Sequence, residues 1–275
     1  MMLPQTSIGP TSGWRAVVIS EIWRYRELLM AFTLRNIKVR YKQTVFGASW
    51  AILQPVIQMV VFSVIFGKIA KVDSYDLPYP IFVYAALVPW TFFAQSLSGA
   101  SNSLVGGGGL LKQVYFERLC IPISTILSCL VDFTLAFLVL IGLMIYYGIT
   151  PTANIIFLPF LVVLAMATAL GVSLMLSALN VQFRDVKHIV PFLVQTWMFA
   201  SPVVYPMTMI ENEAIRYLYA LNPMVGVVEG FRWALLGVDS APGAAILVSI
   251  AVASTLLLMG SFYFKRMERT FADVL

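Results

Sequence analysis

Six apolar stretches, at about 50–69, 81–105, 121–147, 155–179, 189–205 and 243–264, are joined by short polar segments that share the cations unevenly. Five are about as long as a helix needs to cross ~30 Å of hydrocarbon, near twenty residues; the fifth is shorter and proline-rich. Such a chain has few choices of fold, because a bilayer core offers no water to backbone N–H and C=O groups, so each run must satisfy its own as a helix. An even number of crossings puts both termini on one side. That side holds fourteen cations: Arg15, Arg24, Arg26, Arg35, Lys38, Arg40, Lys42, Lys112, Arg118, Arg184, Lys187, Lys265, Arg266 and Arg269. The other side holds four, Lys68, Lys71, Arg216 and Arg232. Lys and Arg accumulate in cytoplasmic loops. The pattern therefore predicts an all-α polytopic protein of the bacterial inner membrane, with six transmembrane helices and both termini cytoplasmic.

Composition agrees: 60% of residues are hydrophobic and 11% charged, which excludes an ordinary soluble domain. The net charge of +5 invites a nucleic-acid reading. The charge geography opposes it, since the terminal side carries 14 basic minus 6 acidic residues (+8) and the other side 4 minus 6 (−2), with Asp132 inside a run. These cations set topology and meet anionic lipid headgroups. Cys120 and Cys129 sit at the start and in the interior of one predicted helix, too far apart to bridge. The first forty residues lack a continuous apolar core behind a basic start, so no cleavable signal peptide is expected.

The expected organisation is a loosely ordered arm (1–20), a cytoplasmic amphipathic helix (21–47), a six-helix domain (48–264) and a cytoplasmic tail (265–275). In the amphipathic segment Met30, Leu34, Ile37 and Tyr41 recur at helical spacing, while Arg24, Glu27, Arg35, Lys38 and Lys42 gather on another face. Two placements fit: flat along the membrane surface, or packed on a soluble partner. A run of four glycines at 106–109 precedes a short helical stretch at 110–119. Lys112 does not follow the glycines in the Gly-x-x-x-x-Gly-Lys-Ser/Thr arrangement that cradles phosphate, so the run reads as a hinge. The segment 206–238 is the longest on the non-cytoplasmic side. It begins with an amphipathic piece at 210–221. Its second part, NPMVGVVEGFRWALLG (222–237), is too short and too charged to cross, yet too apolar for water, and reads as a re-entrant or outer-leaflet helix. Within it Glu229 and Arg232 are three apart and share a helix face.

Catalytic chemistry is thin. His188 is the only histidine, so neither a histidine metal site nor a histidine proton relay can be assembled. Asp132, the one acid deep in an apolar run, reads either as a proton-coupling carboxylate or as a buried structural hydrogen-bond partner. Matched inverted repeats with broken helices, expected of a secondary transporter, are absent from the pattern. Aromatic residues including Trp90, Phe93, Trp197, Tyr205, Tyr217, Tyr219, Phe231 and Trp233 concentrate toward the outer half. They suit an interfacial belt, or a lining on which sugar rings slide.

Several blocks carry a specific resemblance: VRYKQTVFGASWAILQPVIQMVVFSVIFG (39–67), the run from 79 to 105, QVYFERLCIP (113–122), SALNVQFRDVKHIVPFLVQTWMFASPVVYP (177–206) and LNPMVGVVEGFRWALLG (221–237). Together they resemble the type-2 ABC exporter permeases for polysaccharides, over about residues 30–240. The resemblance implies a homodimeric channel with two copies of a separate ATP-binding subunit, ATP and Mg held by that subunit, no cofactor on this chain, and a lipid-linked polysaccharide as substrate. It also implies roles. Gln113, Tyr115, Phe116, Glu117 and Arg118 would form a coupling helix docking on the ATPase. Arg35, Lys38 and Arg40 would attract the substrate's pyrophosphate at the entry. Trp90, Phe93, Trp197, Tyr205, Tyr217, Tyr219, Glu229, Arg232 and Trp233 would line the channel or its outer gate. One departure is the glycine run, where the family more often has a mixed stretch with Asn. The alternatives are a type-2 ABC permease for a drug or simple lipid, and an integral-membrane glycan transferase, which would need clustered carboxylates or a His/Asp pair at one face.

Overall fold

The computed structural model describes residues 23–42, 47–106, 116–210, 212–238, 243–268 and 271; the predicted arm, Gln113 and Tyr115 lie outside these, as does the side chain of Tyr217. Among the described residues there is no strand. The helices are α1 (Arg26–Lys42), α2 (Gly47–Phe62, continued by a π-helical turn Ser63–Ile69), α3 (Tyr79–Gly106), α4 (Cys120–Tyr147), α5 (Leu158–Gln182), α6 (Val186–Phe199), α7 (Glu213–Ala220), α8 (Pro223–Leu236) and α9 (Gly243–Met267). Short 3₁₀ turns, Ala153–Phe157 and Met207–Met209, precede α5 and α7.

α3 is the hub: from Ile81 to Phe93 every side chain is buried, walled by α4, α5 and α8, with α2 and α6 at its flanks. α5 packs on α3 through one face and on α9 through another. The α5–α9 contact is made through glycines, for a Cβ built on Gly260 would lie 2.1 Å from the Gly171 carbonyl oxygen. Small residues let membrane helices approach this closely.

Turn chemistry in the sequence places the helix ends. Asn222 caps α8, its Oδ1 accepting from Met224 N–H at 3.0 Å, with Pro223 in the first turn. Gly237 follows the helix at φ +69°, the left-handed conformation that glycine takes without strain. The predicted re-entrant segment is thus a 14-residue helix, buried along nearly all its length.

The fifth apolar run departs from expectation. Five helical segments are long and apolar enough to cross a membrane: Ser49–Ile69, Tyr79–Gly106, Cys120–Tyr147, Ala153–Gln182 and Ala245–Met267. The run at 189–205 instead becomes α6, 14 residues long, followed by turns at 201–205. At 1.5 Å per residue it spans roughly 21 Å, short of ~30 Å. Pro202 and Pro206 explain the break, since neither can donate a helical N–H. The chain still reaches the opposite end of the bundle, where Tyr79 Oη, at the start of α3, donates to the Val204 carbonyl at 2.6 Å.

At the other end two termini of the bundle meet. Phe116, Leu119, Ile121, Leu174, Val181, Phe264 and Phe271 form a second apolar cluster, with Leu28 and Phe32 of α1 and Met267 of α9 packed on it. The first and last helices therefore share an end.

Candidate functional site

α1 docks along α4: the Phe32 ring meets Phe116 edge-on at 5.2 Å, Asn36 Nδ2 donates to Ser124 Oγ at 3.3 Å, and Arg40 and Tyr41 both reach Asp132. Of the predicted stripe, Met30 and Leu34 are exposed in the single chain, whereas Ile37 is half-buried and Tyr41 reaches Asp132; the face packed within the chain also takes in Leu28, Phe32, Thr33, Asn36 and Arg40. The reason is that α4 offers polar partners, Ser124, Cys129 and Asp132, so the docked face follows hydrogen-bonding groups as well as apolar ones.

Asp132 thus belongs to a structural cluster. The Arg40 guanidinium pairs with its carboxylate and lies 3.6–3.7 Å from Cys129 Sγ, while the Tyr41 hydroxyl donates to the other carboxylate oxygen. Burial, and then the bond to Asp132, push the Tyr41 phenol above its ordinary pKa, so it stays a donor. Asp132→Leu is expected to destabilise the protein by about 1–2 kcal/mol, less than a fully buried pair because Arg40 keeps partial solvent access. Adding Arg40→Met should recover part of that loss; melting curves of the single and double variants in detergent, showing simple additivity, would exclude the coupling.

Between α1, α3 and the start of α4 lies a groove of about 910 Å³. Arg35 and Arg40 stand on one wall, and Asn102, Ser103, Ser124 and Thr125 on others. Arg35 is exposed, with its guanidinium 5.4 Å from the Phe32 ring centroid; Lys38 is exposed and does not line the groove. Of the three predicted entry cations, the structure brings Arg35 and Arg40 to one groove.

Of the predicted coupling residues, the described ones pack on the C-terminal end of α9. Glu117 pairs with Lys265, which also meets Glu268 at 3.3 Å. Arg118 Nη1 donates to the Glu268 carbonyl at 2.8 Å and lies over the Phe271 ring. Burial raises the Glu268 carboxyl above its ordinary value.

At the opposite end three side chains hold the turn that ends α6. Arg232, completely buried, donates from Nη1 to the Pro202 carbonyl (2.6 Å) and Glu229 Oε1 (2.8 Å), from Nη2 to the Val203 carbonyl (2.7 Å), and from Nε to the Phe82 carbonyl (3.3 Å). Burial pulls its pKa down from the usual arginine value while Glu229 pulls it back. Asn222 accepts from Trp197 Nε1 at 2.9 Å and donates to the Ala200 carbonyl and Ser201 Oγ, both at 2.8 Å. Tyr79 completes the set through Val204. The predicted Glu229–Arg232 pair is present; the roles of Asn222 and Tyr79 were missed, although Asn-Pro before an apolar run marks at least the cap.

The remaining aromatics divide into groups. Phe93 is fully buried between Trp90 (5.4 Å between centroids) and Trp197 (5.0 Å). Tyr205 and Tyr219 bond hydroxyl to hydroxyl and share the Phe199 carbonyl. Trp233 lies apart, against Phe157 at 5.6 Å. Among the described residues these ring contacts form separate groups.

A bundle of long apolar helices, a polar groove at one end and a stapled short helix at the other define a polytopic membrane transport protein, and the chain belongs to the ABC-2 type transporter family, whose model matches residues 27–236. More particularly, it is 32% identical over 258 residues to the O-antigen export system permease protein RfbA of Myxococcus xanthus, covering 93% of this chain and 98% of that one. It is 26% identical to the protein of the same name from Klebsiella pneumoniae, covering 90% and 95%. It is also 27% identical to the polysialic acid transport protein KpsM of Escherichia coli, covering 75% and 80%.

Proposed function

We propose that the chain is the permease subunit of an ATP-driven exporter that moves a lipid-linked polysaccharide across the bacterial inner membrane. The observation that carries this reading is similarity over 93% of the chain to a permease named for O-antigen export, joined by similarity over 75% of it to a protein named for polysialic acid transport. In this reading the end where α1 and α9 meet is cytoplasmic, in keeping with fourteen cations against four, and α6 with its turn makes a sixth, shortened crossing. Two copies form the channel with two separate ATP-binding subunits, which hold the ATP and Mg; this chain performs no covalent chemistry. Segment 110–119 is the coupling element; its described residues 116–119 form an irregular stretch and a turn where a helix was expected, and the packing of Glu117 and Arg118 on α9 supports transmission of a push from the ATPase into the last helix.

The α1/α3/α4 groove is the entry. Its polar wall suits a pyrophosphate and the first sugar, with Arg35 as its accessible cation, Arg40 partly neutralised by Asp132, and Lys38 exposed on the same helix outside the groove. α7 and α8 cap the outer mouth. Deleting the gene should remove the polysaccharide from the cell surface and leave lipid-linked polymer inside, and re-expression should restore export. Normal surface polysaccharide in the deletion strain would refute the reading. In the same assay, Arg35→Ala with Lys38→Ala should slow export roughly tenfold, the worth of one or two charge-assisted phosphate contacts.

A further inference from the structure

A second groove, of about 420 Å³, opens between α2, α3 and α6. Gln54 and Gln58 of α2, Gln95 and Ser98 of α3, and Gln195 of α6 face it, with Trp90 beside them. No Lys, Arg, Asp or Glu lines it. Four amides from three helices converge there, each able both to donate and to accept hydrogen bonds without carrying charge.

Depth makes this costly. Gln58 lies nine residues into the Ser49–Ile69 span, roughly 13 Å along a helix axis, so the groove sits near mid-membrane. Polar side chains at that depth face a cavity or each other and mark substrate pathways. The amides do not all satisfy one another: Gln58 Oε1 is buried with no hydrogen-bond partner among the described residues, and a turn of its side chain toward the groove would give it one from a bound hydroxyl.

We infer that this groove is a sugar-binding station partway along the export route, where amide groups hold the hydroxyls of a neutral, uncharged stretch of glycan. The inference rests on the polysaccharide reading above. A hydroxyl both donates and accepts, matching an amide in either orientation, while Trp90, only 3% exposed, forms part of the groove wall. The volume lies in the roughly 300–1,000 Å³ range of small-ligand sites, enough for a sugar ring. Lack of charge suits transport, because a conduit must bind well enough to admit its cargo and weakly enough to release it. A second copy of the chain is the rival occupant. The exposed apolar residues of α2, Leu53, Ile57, Val60 and Val64, offer it a convex face beside the groove. A groove edged by four amides is poorly satisfied by such a face.

The test uses the complete permease–ATPase complex in cells making the polysaccharide. Val194→p-benzoylphenylalanine places a photo-cross-linker in this groove without removing an amide, and Val39→p-benzoylphenylalanine places one in the α1/α3/α4 groove. Irradiation at 194 is expected to yield a periodate-sensitive glycan adduct. Gln58→Leu with Gln95→Leu should cut that yield about tenfold, the worth of two hydrogen bonds, with normal amounts of assembled complex. A glycan adduct at 39 without one at 194 overturns the station and leaves the export reading standing. An adduct at 194 to a second copy of the chain, or to lipid alone, also overturns it, as does an unchanged yield in the double-leucine variant. No glycan adduct at either position, with normal surface polysaccharide in the deletion strain, refutes both.

Discussion

Replacing Arg232 with methionine is expected to cost about 3–5 kcal/mol, the range for removing one partner of a buried ion pair, and to leave little protein that survives extraction from the membrane as a monodisperse species. Methionine fills similar volume, so the loss would come from polarity. Glu229, itself buried, would lose its cation at 2.8 Å, and the carbonyls of Pro202, Val203 and Phe82 would lose donors together. Two of those carbonyls belong to the turn that ends α6, where prolines prevent helical donors from serving. Arg232→Lys should fail almost as badly. An ammonium is a point donor and cannot reach carbonyls on α3 and on the turn at once, as a planar fork does, nor stack as closely on Phe82, whose ring centroid lies 3.7 Å from the guanidinium carbon. Glu229→Gln should be milder, keeping an acceptor. Thermal unfolding in detergent measures all three; Arg232→Met melting with the parent would mean that the turn holds without its staple.

The same residue shows where sequence reasoning stops. The pairing of Glu229 and Arg232 was legible from their spacing, because helix geometry is local. The backbone carbonyls that take most of the donors were not, since a carbonyl has no signature in the residue that bears it. The five long spans and the buried helix 223–236 were legible from apolar runs, with Asn222-Pro223 and Gly237 as punctuation. The fifth run, short and proline-rich in the sequence, ends as a helix at Phe199, three residues before Pro202, a boundary that hydropathy does not register. The docking of α1 on α4 was not legible for a related reason: apolar periodicity picks out Met30, Leu34, Ile37 and Tyr41, whereas the partners Ser124, Cys129 and Asp132 lie on a distant segment. Asp132 looked unpartnered because its cation comes from outside every span. The resemblance supplied the family, which no single side chain could.

The second large effect is expected at Gly260. A methyl group there would sit 2.1 Å from the Gly171 carbonyl oxygen and 3.0 Å from its carbon. The reciprocal substitution at Gly171 would meet Leu256 and Leu257 backbone atoms at 2.6 Å. These nearest neighbours are all backbone atoms, so no rotamer change relieves the clash, and α5 and α9 must part by roughly an ångström or more along a close-packed interface. Overpacking of this kind costs about 1–3 kcal/mol or more, here compounded by the loss of close helix–helix contacts that substitute for hydrophobic driving force in lipid. Gly142→Ala in α4 is the internal control, because nothing lies within 4 Å of its built Cβ; that change should be neutral or stabilise by up to about 1 kcal/mol through helix propensity. Comparable melting temperatures for Gly260→Ala and Gly142→Ala would show that the two helices do not touch through their backbones. A large gap between them would mean that α9 is keyed to α5, so that force entering α9 through Lys265 and Glu117 reaches the centre of the bundle through a rigid pair of helices rather than through a yielding one.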